Sequence, residues 1–144
     1  MKYKEIATES GLPWLDLDID MPHEDMLKEA IALKDTFVKH RDEDGGYGGY
    51  RHKGWRSLCI HGIDPFKTNH FTQYGYNSHE ETPYDWTEIC ARCPITHEFF
   101  KYYFPFDTYF RVRFMLLEPQ GFITPHTDSD EHRLAPINIA LNNP

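Results

Sequence analysis

The alternation in residues 111–117 constrains the fold most, because a period of two is the pattern of a β-strand. One face carries Arg111, Arg113, Met115 and Leu117, and the other carries Val112, Phe114 and Leu116. We expect both faces to be largely buried. Pro119-Gln120-Gly121 then predicts a turn, residues 122–125 predict a returning strand, and alternation in residues 137–142 predicts another strand. Short strands are therefore predicted late in the chain, from residue 111 onwards.

Two amphipathic helices are predicted ahead of these strands. In residues 23–40, apolar side chains recur at spacings of three and four, namely Met26, Ala30, Leu33 and Phe37. Pro22 suits the first turn of this helix, and Asp20 is a candidate cap within a helical region placed at 20–41. The second helix is predicted over residues 94–103, with Ile95, Phe99 and Tyr102 on one side.

The remaining segments complete a single predicted domain over residues 1–144. Residues 42–50 are rich in glycine and acidic residues, which predicts a loop. Residues 55–60 predict the first strand, and residues 69–86 predict loops with short strand pieces. Helices followed by short strands indicate the α+β class, with a core like a jelly roll.

Composition and charge exclude several classes of function. Lys and Arg total 15 against 23 Asp and Glu, so the net charge of −8 would repel a nucleic-acid backbone. No apolar run approaches the roughly 20 residues that a membrane span needs, and the N-terminus lacks the apolar core of a signal peptide. These features favour a cytoplasmic protein. The odd number of cysteines (Cys59, Cys90 and Cys93) predicts reduced structural thiols, and one C-x-x-C pair is weak evidence for redox or zinc chemistry.

The triplet His126-Thr127-Asp128 is the strongest chemical signal in the chain. One imidazole and one carboxylate two residues apart can bind a single divalent ion from one face of the protein, which leaves other positions open. The alternative is a surface turn in which Asp128 accepts hydrogen bonds from nearby backbone N–H groups. The usual third ligand of such a site is a histidine on a later strand. The last histidine here is His132, close to the triplet, so no histidine stands at the expected position.

The sequence around this triplet resembles a known family. Residues 111–128 read Arg-Val-Arg-Phe-Met-Leu-Leu-Glu-Pro-Gln-Gly-Phe-Ile-Thr-Pro-His-Thr-Asp, and Arg133 and Asn-Ile-Ala-Leu-Asn-Asn-Pro at 138–144 follow. This pattern is similar to that of the aspartyl/asparaginyl β-hydroxylase-like branch of the iron(II)- and 2-oxoglutarate-dependent oxygenases. The resemblance implies a double-stranded β-helix (jelly-roll, cupin-like) core, with the motif on the strands of residues 109–144.

The resemblance also implies roles for individual residues. His126 and Asp128 would be iron ligands, and both must be deprotonated to bind the metal. Arg113 and Met115 would line the pocket, where Arg113 contacts cosubstrate or substrate or, alternatively, pairs with an acidic residue. Arg133 would brace the loop after the motif or contact substrate, and Asn138 would face either the pocket or the sheet.

The implied activity is hydroxylation of a C–H bond in an amino-acid, peptidyl or related substrate, with iron(II) and 2-oxoglutarate as cofactors. Family members carry a distal histidine and a 2-oxoglutarate-binding arginine on later strands, and these 144 residues have no matching positions. Three explanations remain open: the chain is a fragment, a second chain completes the barrel, or a histidine such as His132 is recruited. The alternative function is a non-catalytic jelly-roll binding or dimerisation module with a degenerate metal site. An unpaired edge on the last strand predicts a homodimer in either case.

Overall fold

The computed structural model describes residues 3–12, 15–41, 52–125 and 137–142. Its helices are α1 (Tyr3–Ser10), α2 (His23–Leu33) and α3 (Pro94–Tyr103), and its strands are β1 (Val38–Lys39), β2 (Lys53–Gly62), β3 (Asp85–Trp86) and β4 (Val112–Phe122). Short 3₁₀ turns at Lys34–Thr36, Phe71–Tyr74 and Glu88–Arg92 connect them. The predicted glycine-rich loop at 42–50 lies outside the described residues. In the described part of the chain, no helix has the length and apolar character needed to cross a membrane.

An open antiparallel sheet forms the centre of the described structure. Strand β2 pairs with each of β1, β3 and β4, and the β2–β4 ladder is the longest. The register sets Cys59 opposite Arg113, Ser57 opposite Met115 and Leu58 opposite Phe114. The fold is therefore mixed α and β, as predicted, and a closed double-stranded β-helix remains a prediction.

Strand β4 continues through the segment that was predicted to turn. The ladder with β2 extends to the pair Lys53–Phe122, with a register shift between Lys53 and Trp55. Gln120 takes up the irregularity with a φ of 63°, and Gly121 lies so close to β2 that an added Cβ would be 2.7 Å from the Lys53 carbonyl oxygen. The Pro-Gln-Gly sequence is thus a bulge inside one strand, because ladder hydrogen bonds resume beyond it.

Helix α2 begins where the sequence predicted and ends earlier. The carbonyl of Pro22 accepts the first helical hydrogen bond from Met26 at 3.0 Å, and no side chain caps this end, so the prediction for Asp20 is wrong. The prediction that the helix reaches residue 40 is also wrong. Helix α2 ends at Leu33, the 3₁₀ turn Lys34–Thr36 follows, and the chain is extended from Phe37. Phe37 is extended because its ring packs on Phe114, at 6.1 Å between centroids, and the next residues pair with β2.

Helix α3 matches the predicted residues and buries a different face. Thr96 and Phe99 are buried, whereas Ile95 and Tyr102 are exposed. Glu29 of α2 sets this orientation, because its carboxylate accepts hydrogen bonds from the backbone N–H groups of Ile95 and Thr96 at 2.8 and 2.9 Å. A carboxylate at a helix N-terminus also meets the positive end of the helix dipole. The helix therefore docks through a polar cap as well as through Phe99.

One face of the sheet packs on the helices. Its core cluster consists of Leu33, Phe37, Leu58, Ile60, Ile89, Cys93, Val112 and Phe114. A second cluster joins α2 to α3 through Met26, Phe99 and Phe104, and Ile139 and Leu141 pack against it. Residues 137–142 are not a strand, which corrects that prediction, although the side chains of Ile139 and Leu141 do point inward. Within the described residues this segment pairs with none of the four strands.

The three cysteines are free, as the odd number predicted. Burial raises the pKa of the Cys59 thiol to about 11 and that of the Cys93 thiol to about 12. A thiol reacts mainly as the thiolate, so such groups are unreactive at neutral pH. These values agree with a structural role.

Candidate functional site

The predicted metal ligands His126 and Asp128, and the nearby Arg133, lie outside the described residues. Strand β4 leads towards them, and the described chain continues as far as Pro125. The resemblance implies that the face of β4 with Arg113 and Met115 lines the pocket. The relevant part is the sheet face turned away from the helices, which we call the site face: Trp55, Ser57, Cys59, Arg113, Met115 and Leu117.

A loop formed by residues 63–70 covers one end of the site face. Three successive carbonyls of this loop accept hydrogen bonds from side chains at the sheet. Arg113 Nη1 donates to the Thr68 carbonyl at 2.6 Å, and Arg111 Nη1 donates to the Asn69 carbonyl at 2.5 Å. The Cys59 thiol donates to the Lys67 carbonyl at 3.8 Å, a weaker contact. The loop is thus fastened to β4 mainly by two guanidinium groups.

Asp64 gives this loop its shape. One carboxylate oxygen of Asp64 accepts from the backbone N–H groups of Phe66 and Lys67, both at 2.8 Å, which is an Asx turn. Burial alone would raise the pKa of Asp64, but these hydrogen bonds and the Lys67 ammonium outweigh it, so the pKa lies below its ordinary value. The turn brings the Pro65 carbonyl to the Cys59 N–H at 2.8 Å. This hydrogen bond therefore fixes the position of the loop at 63–70 relative to β2.

A buried histidine lies beneath the loop. His40 is 2% exposed, and its Nδ1 is 2.9 Å from Ser57 Oγ and 3.3 Å from Thr68 Oγ1. Burial lowers the pKa of His40 to about 2, and the positive charges of Arg113 and Arg41 act in the same direction. The imidazole is therefore neutral at physiological pH and serves as a fixed hydrogen-bonding group.

Thr68 links this histidine to Arg113. Its side-chain oxygen contacts His40, while its carbonyl accepts from Arg113, so one residue joins β1, the loop and β4. The sequence left two alternatives for Arg113, a pocket contact or a pair with an acidic residue. The described contact is a third kind, in which Arg113 donates to a backbone carbonyl, and the two alternatives stay predictions.

A second buried histidine contacts the chain just before the metal motif. The backbone N–H of Thr124 donates to His52 Nδ1 at 3.1 Å, and His52 is 4% exposed. The His52 ring meets Trp55 edge-on at 5.1 Å between centroids, and Trp55 in turn packs on His40 at 4.2 Å. The approach to residue 126 is thereby tied to β2.

The far end of the site face is open within the described structure. Met115 is 44% exposed and Leu117 is 46% exposed, so the expectation that both faces of this strand are buried is wrong for these two residues. The covering loop reaches Arg113 but does not extend over them. Met115 does share a face with Arg113, as the alternation predicted. Asn138 is exposed and lies outside any strand, and its predicted role stays a prediction.

No described group of three or more His, Cys, Asp or Glu residues could hold a metal ion. Several described histidines have other contacts. His61 packs against Trp86 at 4.9 Å, and His79 stacks on Phe110 at 3.9 Å. The imidazole and carboxylate donors of the predicted pair suit iron(II).

His40, His52 and Thr68 were missed by the sequence reasoning. They are far apart in the sequence, and the β1–β2 and β2–β4 pairings that bring them together join segments 17 to 72 residues apart. In the sequence, His40 and His52 are two of nine histidines, and Thr68 is a single polar residue. No local motif marks them.

Comparison with known protein families gives a match over most of the chain. The family model described as aspartyl/asparaginyl beta-hydroxylase matches residues 22–144, which is most of the chain and includes the His-x-Asp triplet. The curated proteins contain no match. The solved structures contain none either.

Proposed function

Because the chain belongs to the aspartyl/asparaginyl beta-hydroxylase family, we propose that it is an iron(II)- and 2-oxoglutarate-dependent hydroxylase domain. The observation that carries the proposal is the family match over residues 22–144, which contains both predicted ligands, His126 and Asp128. The finer fold we propose is the double-stranded β-helix, with β4 as one of its strands.

Molecular oxygen would be the oxidant and would be activated at iron(II): one oxygen atom would be inserted into the substrate C–H bond, and the other would be taken up by 2-oxoglutarate as it is oxidised to succinate and carbon dioxide. The protein supplies binding, orientation and a suitable environment. In this proposal the His126 imidazole and the Asp128 carboxylate bind iron(II) in their deprotonated forms. Two protein ligands on one short segment leave open positions for the cosubstrate and oxygen. A third protein ligand is not assigned.

The site face supports this proposal through its chemistry. Arg113 presents a planar cation on β4, the strand that leads to the ligands, and a guanidinium suits recognition of a carboxylate by two parallel hydrogen bonds. The exposed side chains of Met115 and Leu117 continue the same face with apolar surface. We propose that Arg113 contacts the cosubstrate or a carboxylate of an amino-acid or peptidyl substrate, and that Met115 lies against its apolar part.

Metal binding by ligand variants tests the proposal. We expect the chain to bind iron(II) under anaerobic conditions and expect His126→Ala and Asp128→Ala to abolish that binding, because each removes a direct ligand. Circular dichroism should show that both variants keep the fold. His23→Ala is the matched control, since His23 is exposed on α2 and far in sequence from the motif. Unchanged iron affinity in both ligand variants would refute the assignment.

A further inference from the structure

We infer that His52 is a positioning residue for the metal motif, acting through its hydrogen bond to the backbone of Thr124. The inference rests on the proposed function, because it concerns the placement of the proposed ligand His126. Thr124 precedes that residue by two positions. The hydrogen bond therefore holds the backbone at a point two residues before the proposed ligand.

Thr124 lies beyond the end of the β-ladder. The last pair between β2 and β4 is Lys53 with Phe122, so the ladder does not hold the chain after that point. The contact from Thr124 N–H to His52 Nδ1, at 3.1 Å, extends the attachment to β2 by two residues in the direction of the motif. Here a side chain takes the place of a strand partner.

His52 is itself held firmly enough to perform this role. It is 4% exposed, and its ring lies edge-on against Trp55. Trp55 packs on His40, whose Nδ1 contacts Ser57 and Thr68. A functional group is placed accurately when the groups behind it are locked by packing and hydrogen bonds. The Trp55 and His40 rings provide that support.

The direction of this hydrogen bond also determines the protonation of the His52 ring. A backbone N–H is a donor, so Nδ1 must be the unprotonated acceptor, and the ring proton of the neutral imidazole is on Nε2. Of the two amide side chains, asparagine places its oxygen near the position of Nδ1, whereas glutamine reaches further along the side chain. Both variants keep a polar side chain at position 52, but only His52→Asn keeps an acceptor near the position of Nδ1. A difference between the two variants therefore reports the position of the acceptor and not the polarity of the side chain. His52→Phe keeps an aromatic ring and removes the acceptor.

The test uses the whole chain and two measurements. The first is hydrogen exchange of the Thr124 amide by NMR without metal, and the second is anaerobic titration with iron(II). We expect faster Thr124 exchange in His52→Phe and His52→Gln, and exchange close to wild type in His52→Asn and in the control His23→Asn. Iron affinity should follow the same order, with a loss of about 10- to 100-fold for the first two variants, the range found when residues behind metal ligands are changed.

The possible outcomes distinguish this inference from the proposed function. If wild type binds iron(II) and all His52 variants bind it equally well, the positioning role is refuted and the metal assignment stands. Wild-type Thr124 exchange in His52→Phe would also refute it. If His52→Phe fails to fold, the comparison of Asn with Gln decides, because a merely structural role gives no advantage to the variant with its oxygen near Nδ1. If wild type binds no iron(II), the proposed function fails and this inference fails with it.

Discussion

The buried His40 should make stability depend on pH in a way that can be calculated. Burial, with Arg113 as the next cause, lowers the pKa of His40 from 6.5 to about 2 in the folded protein. Arg41, Arg111 and His52 act in the same direction. In the unfolded chain the imidazole is in water and regains its ordinary pKa. As pH falls below about 6.5, the unfolded state therefore binds a proton that the folded state does not.

The sign and size of the effect follow from this difference. Proton uptake by the unfolded chain stabilises the unfolded state, so the His40 contribution to folding stability is lost as pH falls. Between pH 7 and pH 5 the loss is about 2 kcal/mol, and the size of this loss is insensitive to the folded pKa as long as that pKa is below about 4. The loss continues towards lower pH until the folded pKa is reached.

Urea unfolding of wild type and His40→Asn measures this contribution. The asparagine amide keeps a polar group near Ser57 Oγ and does not titrate. We expect wild type to lose about 2 kcal/mol more than the variant between pH 7 and pH 5. Between pH 8 and pH 7 the two proteins should change alike, within about 0.2 kcal/mol, which serves as the internal control. Equal losses between pH 7 and pH 5 would refute the claim that His40 stays neutral in the folded state.

Two further predictions concern helix docking and assembly. Glu29→Ala should lower the free energy of unfolding by about 2 kcal/mol, because it leaves the Thr96 N–H and hydroxyl and the Ile95 N–H without their acceptor. Glu29→Gln keeps one acceptor oxygen and should lower it less, and an unchanged urea midpoint for Glu29→Ala would contradict the capping role. The homodimer predicted from the sequence should appear in sedimentation velocity at micromolar concentration, and a strictly monomeric profile would contradict it.

Local patterns predicted the parts of the fold that depend on neighbouring residues. Alternation placed Arg113 and Met115 on one face, and helical spacing with Pro94 located α3. The end of α2 was wrong because Phe37 packs on Phe114, a contact made across the whole sheet. The turn at residues 119–121 was wrong because β2 continues to pair with β4 beyond the bulge. Tertiary contacts overrode local signals in both places.

The candidate site, like the fold, contains residues that the sequence could predict and residues that it could not. The His-x-Asp triplet is contiguous, so the sequence alone could identify it, and its role as a pair of metal ligands stays a prediction. The described histidines His40 and His52 and the loop residue Thr68 come together only through long-range pairing of strands and the loop at 63–70. A single sequence contains no signal for such a meeting. The exposure of Met115 and Leu117 likewise depends on how far that loop extends.

The measurement that tests the central claim most directly is an anaerobic titration of the whole chain with iron(II) and 2-oxoglutarate, followed in the visible region. The chelate of iron(II) with 2-oxoglutarate in such sites gives a weak charge-transfer band, so the spectrum reports both cofactors together. We predict that the band appears with wild type and is absent with His126→Ala and Asp128→Ala. Its absence from wild type at saturating iron(II) and 2-oxoglutarate would contradict the account and favour a non-catalytic module.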